Sequence, residues 1–310
     1  LEGSMGFFDG VAKSGSFGTG TTADLARLTG WPVILVLNVS GQAQSAAAVA
    51  TGFSSYDPSV KLAGVILNNV ASPRHQALIE NGMAYAGVNI LGSLPRNKDL
   101  ELPERHLGLI QAQEISNLNS ILEKLSDFVI KNSSLDVILE SADSKSETFS
   151  PEKTHFLKPP GQRVAISKDK AFTFIYPHII NSWREQGAEI IPFSPLMDES
   201  PKSDADAVWL SGGYPELYAG KIAASNNFLA GIRKFSDSKP VHGECGGYMV
   251  MGKGIIDADG KYHEMAGILG LETSFEKRKI NLGYRRAKII SDAPSLGKND
   301  IILGHEFHYS

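Results

Sequence analysis

Pro240 to Gly252, PVHGECGGYMVMG, decides the fold of the second half of this chain. A short strand, Pro240 to His242, enters Gly243-Glu244-Cys245-Gly246-Gly247, and a helical stretch follows. The G-x-C-x-G spacing is the thiol form of a strand–turn–helix nucleophile elbow. Each residue type has a physical reason. The nucleophile sits on a sharp, strained turn, and glycines beside it remove side chains that would collide with backbone or substrate. A helix starting beneath the sulfur favours the thiolate, the reactive form. The Gly246 N–H then points at a developing oxyanion.

A second βα series surrounds this elbow. Strands are expected at Val164–Ile166, Glu189–Phe193, Ala207–Leu210 and Pro240–His242, with helices over Phe172–Gln186 and Asn226–Ser236. Leu210-Ser211-Gly212-Gly213-Tyr214 follows a strand, so Gly213 can turn a second N–H into an oxyanion hole. Gly304-His305-Glu306-Phe307-His308 supplies the imidazoles that a thiolate mechanism needs as proton carriers. A lone cysteine is most often a small buried hydrophobe, paired glycines are usually turns, and terminal histidines are commonly surface residues. Elbow, glycine pair and histidine segment together turn the reading of Cys245 to catalysis.

The first half also alternates. Val33–Val39 (VILVLNV) is a strand apolar on both faces, Gly41–Phe53 an Ala-rich helix and Leu62–Leu67 a strand. Residues 75–86 then give a helix, Val88–Leu94 a strand and Ile115–Ile130 a closing amphipathic helix. Repeated βα units imply a parallel sheet with ligands beyond the carboxyl ends of its strands. From Lys131 to Gln162 the periodicity fails in a polar, Pro-bearing stretch that predicts a linker. The fold class is therefore α/β in two domains: 1–130, a linker at 131–162, and 163–310.

Of 310 residues, 42% are apolar and 21% charged, a soluble globular composition. No run nears the roughly 18 apolar residues of a membrane span, and no secretory signal is visible. One cysteine forms no internal disulfide, which predicts a reducing cytoplasm. A net charge of −4 argues against nucleic acid as a main partner.

The second half resembles class I glutamine amidotransferases, in the branch attached to cobyrinic acid a,c-diamide synthases and cobyric acid synthases. The resemblance runs through EGSMGFFDG (2–10), GTTADLARLTGWP (20–32), SGQAQSAAAVA (40–50), GVILNNVASPRH (64–75) and LPERHLGL (102–109). It continues in SGGYPELYAG (211–220), HGECGGYMVMG (242–252), LGYRRA (282–287) and GHEFHYS (304–310). The start and the GHEFHYS ending are similar to the a,c-diamide synthase branch, and within it to the aerobic-pathway hydrogenobyrinic acid enzymes. The resemblance implies a flavodoxin-like amidotransferase domain preceded by a P-loop, dethiobiotin-synthetase-like domain. It implies a Cys245–His308 pair, with Glu306 outside it, and L-glutamine and a corrin-type polycarboxylate as partners. ATP and Mg²⁺ are the implied cofactors, with no membrane partner; a homodimer is compatible. Alternatives left open are a cobyric acid synthase, a Ni-sirohydrochlorin a,c-diamide synthase or a non-catalytic amidotransferase-like binding protein.

The resemblance links Glu2 and Asp9 to substrate and metal, and Asn68, Pro95 and Arg96 to the nucleotide. Arg74 and His75 fit a polycarboxylate, and Tyr284, Arg285 and Arg286 carry only the family pattern. Thr21, Thr22 and Asp24 are explained by a helix cap alone, Asp9 by an Asp-Gly turn, and Glu2 by a solvated end. No G-x-x-x-x-G-K-[ST] phosphate loop occurs; GSFGTGTT (15–22) is Gly-rich but lacks the lysine. With Leu1 in place of a methionine and Ser310 directly after a motif, the expectation is a fragment cut at both ends, missing its N-terminal phosphate-binding part.

Overall fold

A computed structural model describes residues 1–142 and 157–309, except 4, 13, 16, 17, 106, 107, 278 and 293–295. It forms two compact units, Leu1–Glu152 and Lys153–Ser310.

The first unit is built on a parallel sheet in the order β1 (Val33–Asn38), β2 (Leu62–Val70), β3 (Ile90–Pro95). Before it, α1 (Thr22–Thr29) opens with a capping box. Thr21 Oγ1 accepts the Asp24 N–H at 2.9 Å, and Asp24 Oδ2 accepts the Thr21 N–H at 3.0 Å. These bonds satisfy donors that a helix start leaves orphaned. The crossovers are α2 (Ser45–Tyr56) and α3 (Pro73–Tyr85). Ser72 caps α3 by accepting the His75 N–H, and Pro73 takes the first turn, where no backbone donor is needed. Ala46, Ala47 and Ala50 let α2 lie close on Leu37, Leu67, Ile79 and Met83. The small two-stranded β4 (Glu104–Arg105) and β5 (Gly108–Leu109) follows, then α4 (Leu118–Asn132) and α5 (Leu135–Ala142).

The second unit holds a four-stranded parallel sheet. Its strands are β6 (Arg163–Ser167), β8 (Glu189–Phe193), β9 (Ala207–Leu210) and β11 (Val241–Gly243), in the order β11-β9-β6-β8. Alternate residues of β6 face opposite cores. Val164 and Ile166 pack with Trp183 and Ile180 of α6 (Pro177–Glu185), while Ala165 packs with Ile232 and Phe228 of α8 (Asn226–Ser236). A strand covered on both faces must be apolar where it is covered, as Val164 to Ile166 are. The order places β8 on one side of β6 and β9 on the other. The carboxyl ends of β6 and β9 therefore flank a topological switch point, where such sheets open a crevice. Around the sheet lie β7 (Phe172–Phe174) paired with β10 (Gly212–Gly213), then α7 (Ala219–Ala223) and α9 (Gly246–Met251). A β13-β12-β14 sheet (Tyr262–Glu264, Gly254–Ile256, Glu272–Ser274) and an antiparallel ribbon of β15 (Asn281–Lys288) and β16 (Ile301–His308) complete the unit.

Two expectations change. Phe172–Gln186 is not one helix: Phe172–Phe174 pairs as β7 and the helix begins at Pro177. The aromatic and β-branched run FTFIY favours extended backbone, and proline fixes the helix start. Within the expected linker, Leu135–Ala142 forms α5, its Leu135, Val137, Ile138 and Leu139 masked by the polar stretch around them. Linker residues 143–156 lie outside the described residues, as do His106 and Leu107 of LPERHLGL and the final Ser310. Among the described residues no helix is long and apolar enough to cross a membrane.

Candidate active site

Cys245 occupies φ 47°, ψ −110°, a backbone conformation that L-residues avoid. Holding it there costs on the order of 1–3 kcal/mol, which neighbouring bonds must offset. The Glu244 N–H donates to Leu210 O at 3.0 Å, the Gly247 N–H to Glu244 O at 2.7 Å, and the Met249 N–H to Cys245 O at 3.1 Å. The turn closes only because its flanks lack side chains. A Cβ on Gly243 would lie 2.8 Å from Tyr248 N, and one on Gly247 would run into the Leu210 carbonyl. The elbow expected at this spacing is thus built as a strained turn between β11 and α9.

The backbone N–H groups of Gly246 and Gly213 lie beside the Cys245 sulfur and each lowers its pKa, and a Cβ on Gly246 would fall 3.2 Å from Gly213 N. Gly213 has φ 157° and sits where a Cβ would strike the Ala171 carbonyl, which itself accepts the Tyr214 N–H at 3.0 Å. A buried serine pair anchors this loop: the Ser211 N–H donates to Ser167 Oγ at 2.9 Å and Ser211 Oγ donates to Ser167 O at 3.0 Å. Ser167 ends β6 and Ser211 directly follows β9, so the donors stand at the switch point.

The resting sulfur differs from the expected thiolate. Cys245 keeps an exposed surface, yet desolvation by the atoms packed around the sulfur pushes the thiol pKa up. The Gly246 and Gly213 amides pull it down, and the Glu216 and Glu244 charges push it up again. The six-residue α9 does not outweigh these effects. Two hydrogen-bond donors aimed at an electrically neutral thiol are preorganised for a charge that forms later in the reaction.

The histidine segment lies on β16. His308 pairs in register with Asn281, His305 with Tyr284, and Glu306 with Gly283. Strand alternation sends Glu306 and His308 to one face and His305 to the other. Glu306 is ion-paired to Arg285 at 2.6 Å. The next residue, Tyr309, packs against the core cluster that contains Met249, Val250 and Met251 of α9, which begins at the elbow.

Sequence reasoning missed the side chains around the elbow. The His242 ring stacks on Trp209 with centroids 3.8 Å apart, and its Nε2 is 3.5 Å from Glu244 Oε1. Burial and the charges of Glu244 and Cys245 raise the Tyr176 pKa, which puts its phenol on the same side. Glu216 follows Pro215 in a 3₁₀ turn directly after Gly213-Tyr214. A charged residue next to the nucleophile was the available signal.

In the first unit, the carboxyl ends of the strands gather polar groups. Asn38 and Asn68 are register partners, Asn68 Oδ1 accepts the Asn69 N–H at 3.0 Å, and Asn69 donates to Asn38 Oδ1 at 3.2 Å. Pro95 ends β3 opposite Val70, and Arg96 donates to Ser40 Oγ at 3.0 Å. His75 accepts the Ala71 N–H at 3.0 Å and bonds Gln42 O, which gives it a loop-fastening role. Asp24 is held at a pKa of about 2, first by the Thr21 backbone N–H, and pairs with Arg27. Asp9 folds its carboxylate over Gly6, and Glu2 is exposed. Among the described residues no group of three or more His, Cys, Asp or Glu is placed to hold a metal ion.

The model for a CobB/CobQ-like glutamine amidotransferase domain matches residues 163–310, and that for an AAA domain matches residues 8–104. A hydrogenobyrinate a,c-diamide synthase of Rhodobacter capsulatus is 52% identical over 310 residues, covering 100% of this chain and 71% of the relative. Those of Mesorhizobium japonicum and Agrobacterium fabrum are 50% and 48% identical, covering 100% of this chain and 70% of each relative. Identity of about one half over the whole chain is a family relationship: the chain belongs to the hydrogenobyrinate a,c-diamide synthase family.

Proposed function

We propose that this chain takes nitrogen from glutamine at Cys245 and uses it to amidate the a and c side-chain carboxylates of hydrogenobyrinic or cobyrinic acid, driven by ATP. The observation that carries the reading is the convergence of the Gly213 and Gly246 N–H groups on the sulfur of a strained elbow cysteine.

The chemistry follows from those groups. The Cys245 thiol loses its proton to His308, and the sulfur pair adds to the glutamine amide carbon. The carbonyl π pair moves to oxygen, where the Gly213 and Gly246 N–H groups stabilise it; such a donor is worth on the order of 3–4 kcal/mol. Collapse breaks the C–N bond as His308 returns the proton, and ammonia leaves. Water then hydrolyses the thioester, releasing glutamate and restoring the thiol. Residues 163–310 carry this half-reaction, joined through 131–162 to residues 1–130.

A carboxylate is a poor electrophile, so it must first be activated. Its oxygen takes the γ-phosphoryl group of ATP, ADP leaves, and ammonia displaces phosphate from the acyl phosphate. Asn68, Pro95 and Arg96, at the carboxyl edge of the sheet, are proposed to bind the nucleotide. Mg²⁺ suits one or two carboxylates together with substrate phosphates, so Glu2 and Asp9 are the residues that would hold it, neutralising phosphate charge.

Cys245→Ala tests the reading. Glutamine-dependent amidation of hydrogenobyrinic acid is expected to fall to background while amidation fed by ammonium chloride persists. Survival of the glutamine-driven reaction would remove Cys245 from its role.

A further inference from the structure

The nucleophile is bordered by anions. Glu244 immediately precedes Cys245, and both of its backbone groups are fixed, N–H to Leu210 O and C=O to the Gly247 N–H. Its side chain is 28% exposed, and His242, fixed by its stack on Trp209, lies 3.5 Å from the carboxylate. Glu216 also bears on the sulfur through its charge. It follows Pro215, whose ring is close enough to Gly246 that a Cβ there would lie 2.6 Å from Pro215 Cδ. Both carboxylates act on the sulfur, and each disfavours its ionisation. For a group that must become an anion this is adverse, unless the substrate brings a cation.

Glutamine does. Its reacting carbonyl has to meet the Gly213 and Gly246 N–H groups, and three carbon–carbon bonds from that carbon to the α-carbon carry the α-ammonium out to the rim of the elbow. We propose that Glu244, oriented by His242 and joined by Glu216, accepts the α-ammonium of glutamine and so selects an α-amino acid as nitrogen donor over its deaminated counterpart. The selection rests on the glutaminase reading of Cys245. It also couples recognition to reactivity. The bound ammonium offsets the two carboxylates, so the thiolate forms more readily with substrate in place than without it.

The test compares the unmodified chain with Glu244→Gln and Glu216→Gln, each assayed for hydrolysis of glutamine and of glutaramate, which lacks only the α-amino group. The unmodified chain should prefer glutamine. Glu244→Gln should shrink that preference in kcat/KM by about tenfold or more, chiefly through a higher KM for glutamine, as loss of a charge-assisted hydrogen bond does. A variant that merely disturbs the elbow would slow both substrates alike, and a preference unchanged in both variants overturns the proposal. Labelling with 6-diazo-5-oxo-L-norleucine separates the two readings. If Cys245 of the unmodified chain takes no label and no glutamate is released, the glutaminase assignment falls and this inference falls with it. If Cys245 is labelled while the preference stays fixed in the variants, only the ammonium assignment is lost.

Discussion

Ser211 and Ser167, 44 residues apart in sequence, bond each other three times: N–H to Oγ at 2.9 Å, Oγ to backbone O at 3.0 Å and Oγ to Oγ at 3.3 Å. Both are buried, at the ends of the two strands that flank the switch point. The pair fixes the start of the loop that carries Gly213. Ser167→Ala leaves the Ser211 N–H buried without its acceptor, a loss of about 1–3 kcal/mol. Urea denaturation should show a lower midpoint with an unchanged slope. An unchanged midpoint would mean that the pair does not hold the loop.

Gly246→Ala should disarm the site while leaving the fold in place. The added methyl would lie 2.6 Å from Pro215 Cδ and 3.2 Å from Gly213 N, so the two donors are forced apart. Losing one oxyanion donor lowers kcat by about 100-fold or more. Glutamine hydrolysis with circular dichroism as a control checks this; near-normal kcat in a folded variant would contradict the assigned donors.

The reactivity of Cys245 should rise late with pH. Its pKa lies above the ordinary thiol value, because desolvation favours the neutral form. Iodoacetamide alkylation in the absence of glutamine should therefore stay slow at neutral pH and climb through a midpoint higher than that of a free cysteine. The sign for stability is the same: the contribution of the neutral native thiol is fully present below the unfolded pKa and is lost as pH rises from there through the raised native pKa. A midpoint near neutrality would refute the electrostatic account.

Acid should loosen the first unit through Asp24. Its native pKa is about 2, against an ordinary 3.8, so its contribution is complete above about pH 4 and is lost as pH falls towards 2. Asp24→Asn should flatten that part of the stability–pH curve. Thermal melts between pH 2 and 5 would show it; parallel curves for the two proteins would exclude the cap as the source.

Much of this was legible because periodicity and turn chemistry are local. Glu189–Phe193, Ala207–Leu210 and Asn226–Ser236 were readable to the residue, since each is an apolar pattern bounded by polar or turn residues. The elbow was legible because glycine is the residue type its sterics demand. Phe172–Phe174 was not, because its strand identity comes from pairing with Gly212 and Gly213 far along the chain. His242, Tyr176 and Glu216 escaped for the same reason: they gain meaning only when folding brings them round one sulfur atom. The sign of the Cys245 shift was equally hidden, because desolvation depends on tertiary packing.

That shift has a consequence outside the reaction itself. Thiolates attack peroxide and disulfides far more readily than thiols do. An exposed cysteine held neutral at rest reacts slowly with either, although it stands open to solvent. The enzyme can thus keep an accessible sulfur through oxidative episodes that would inactivate a permanently ionised one.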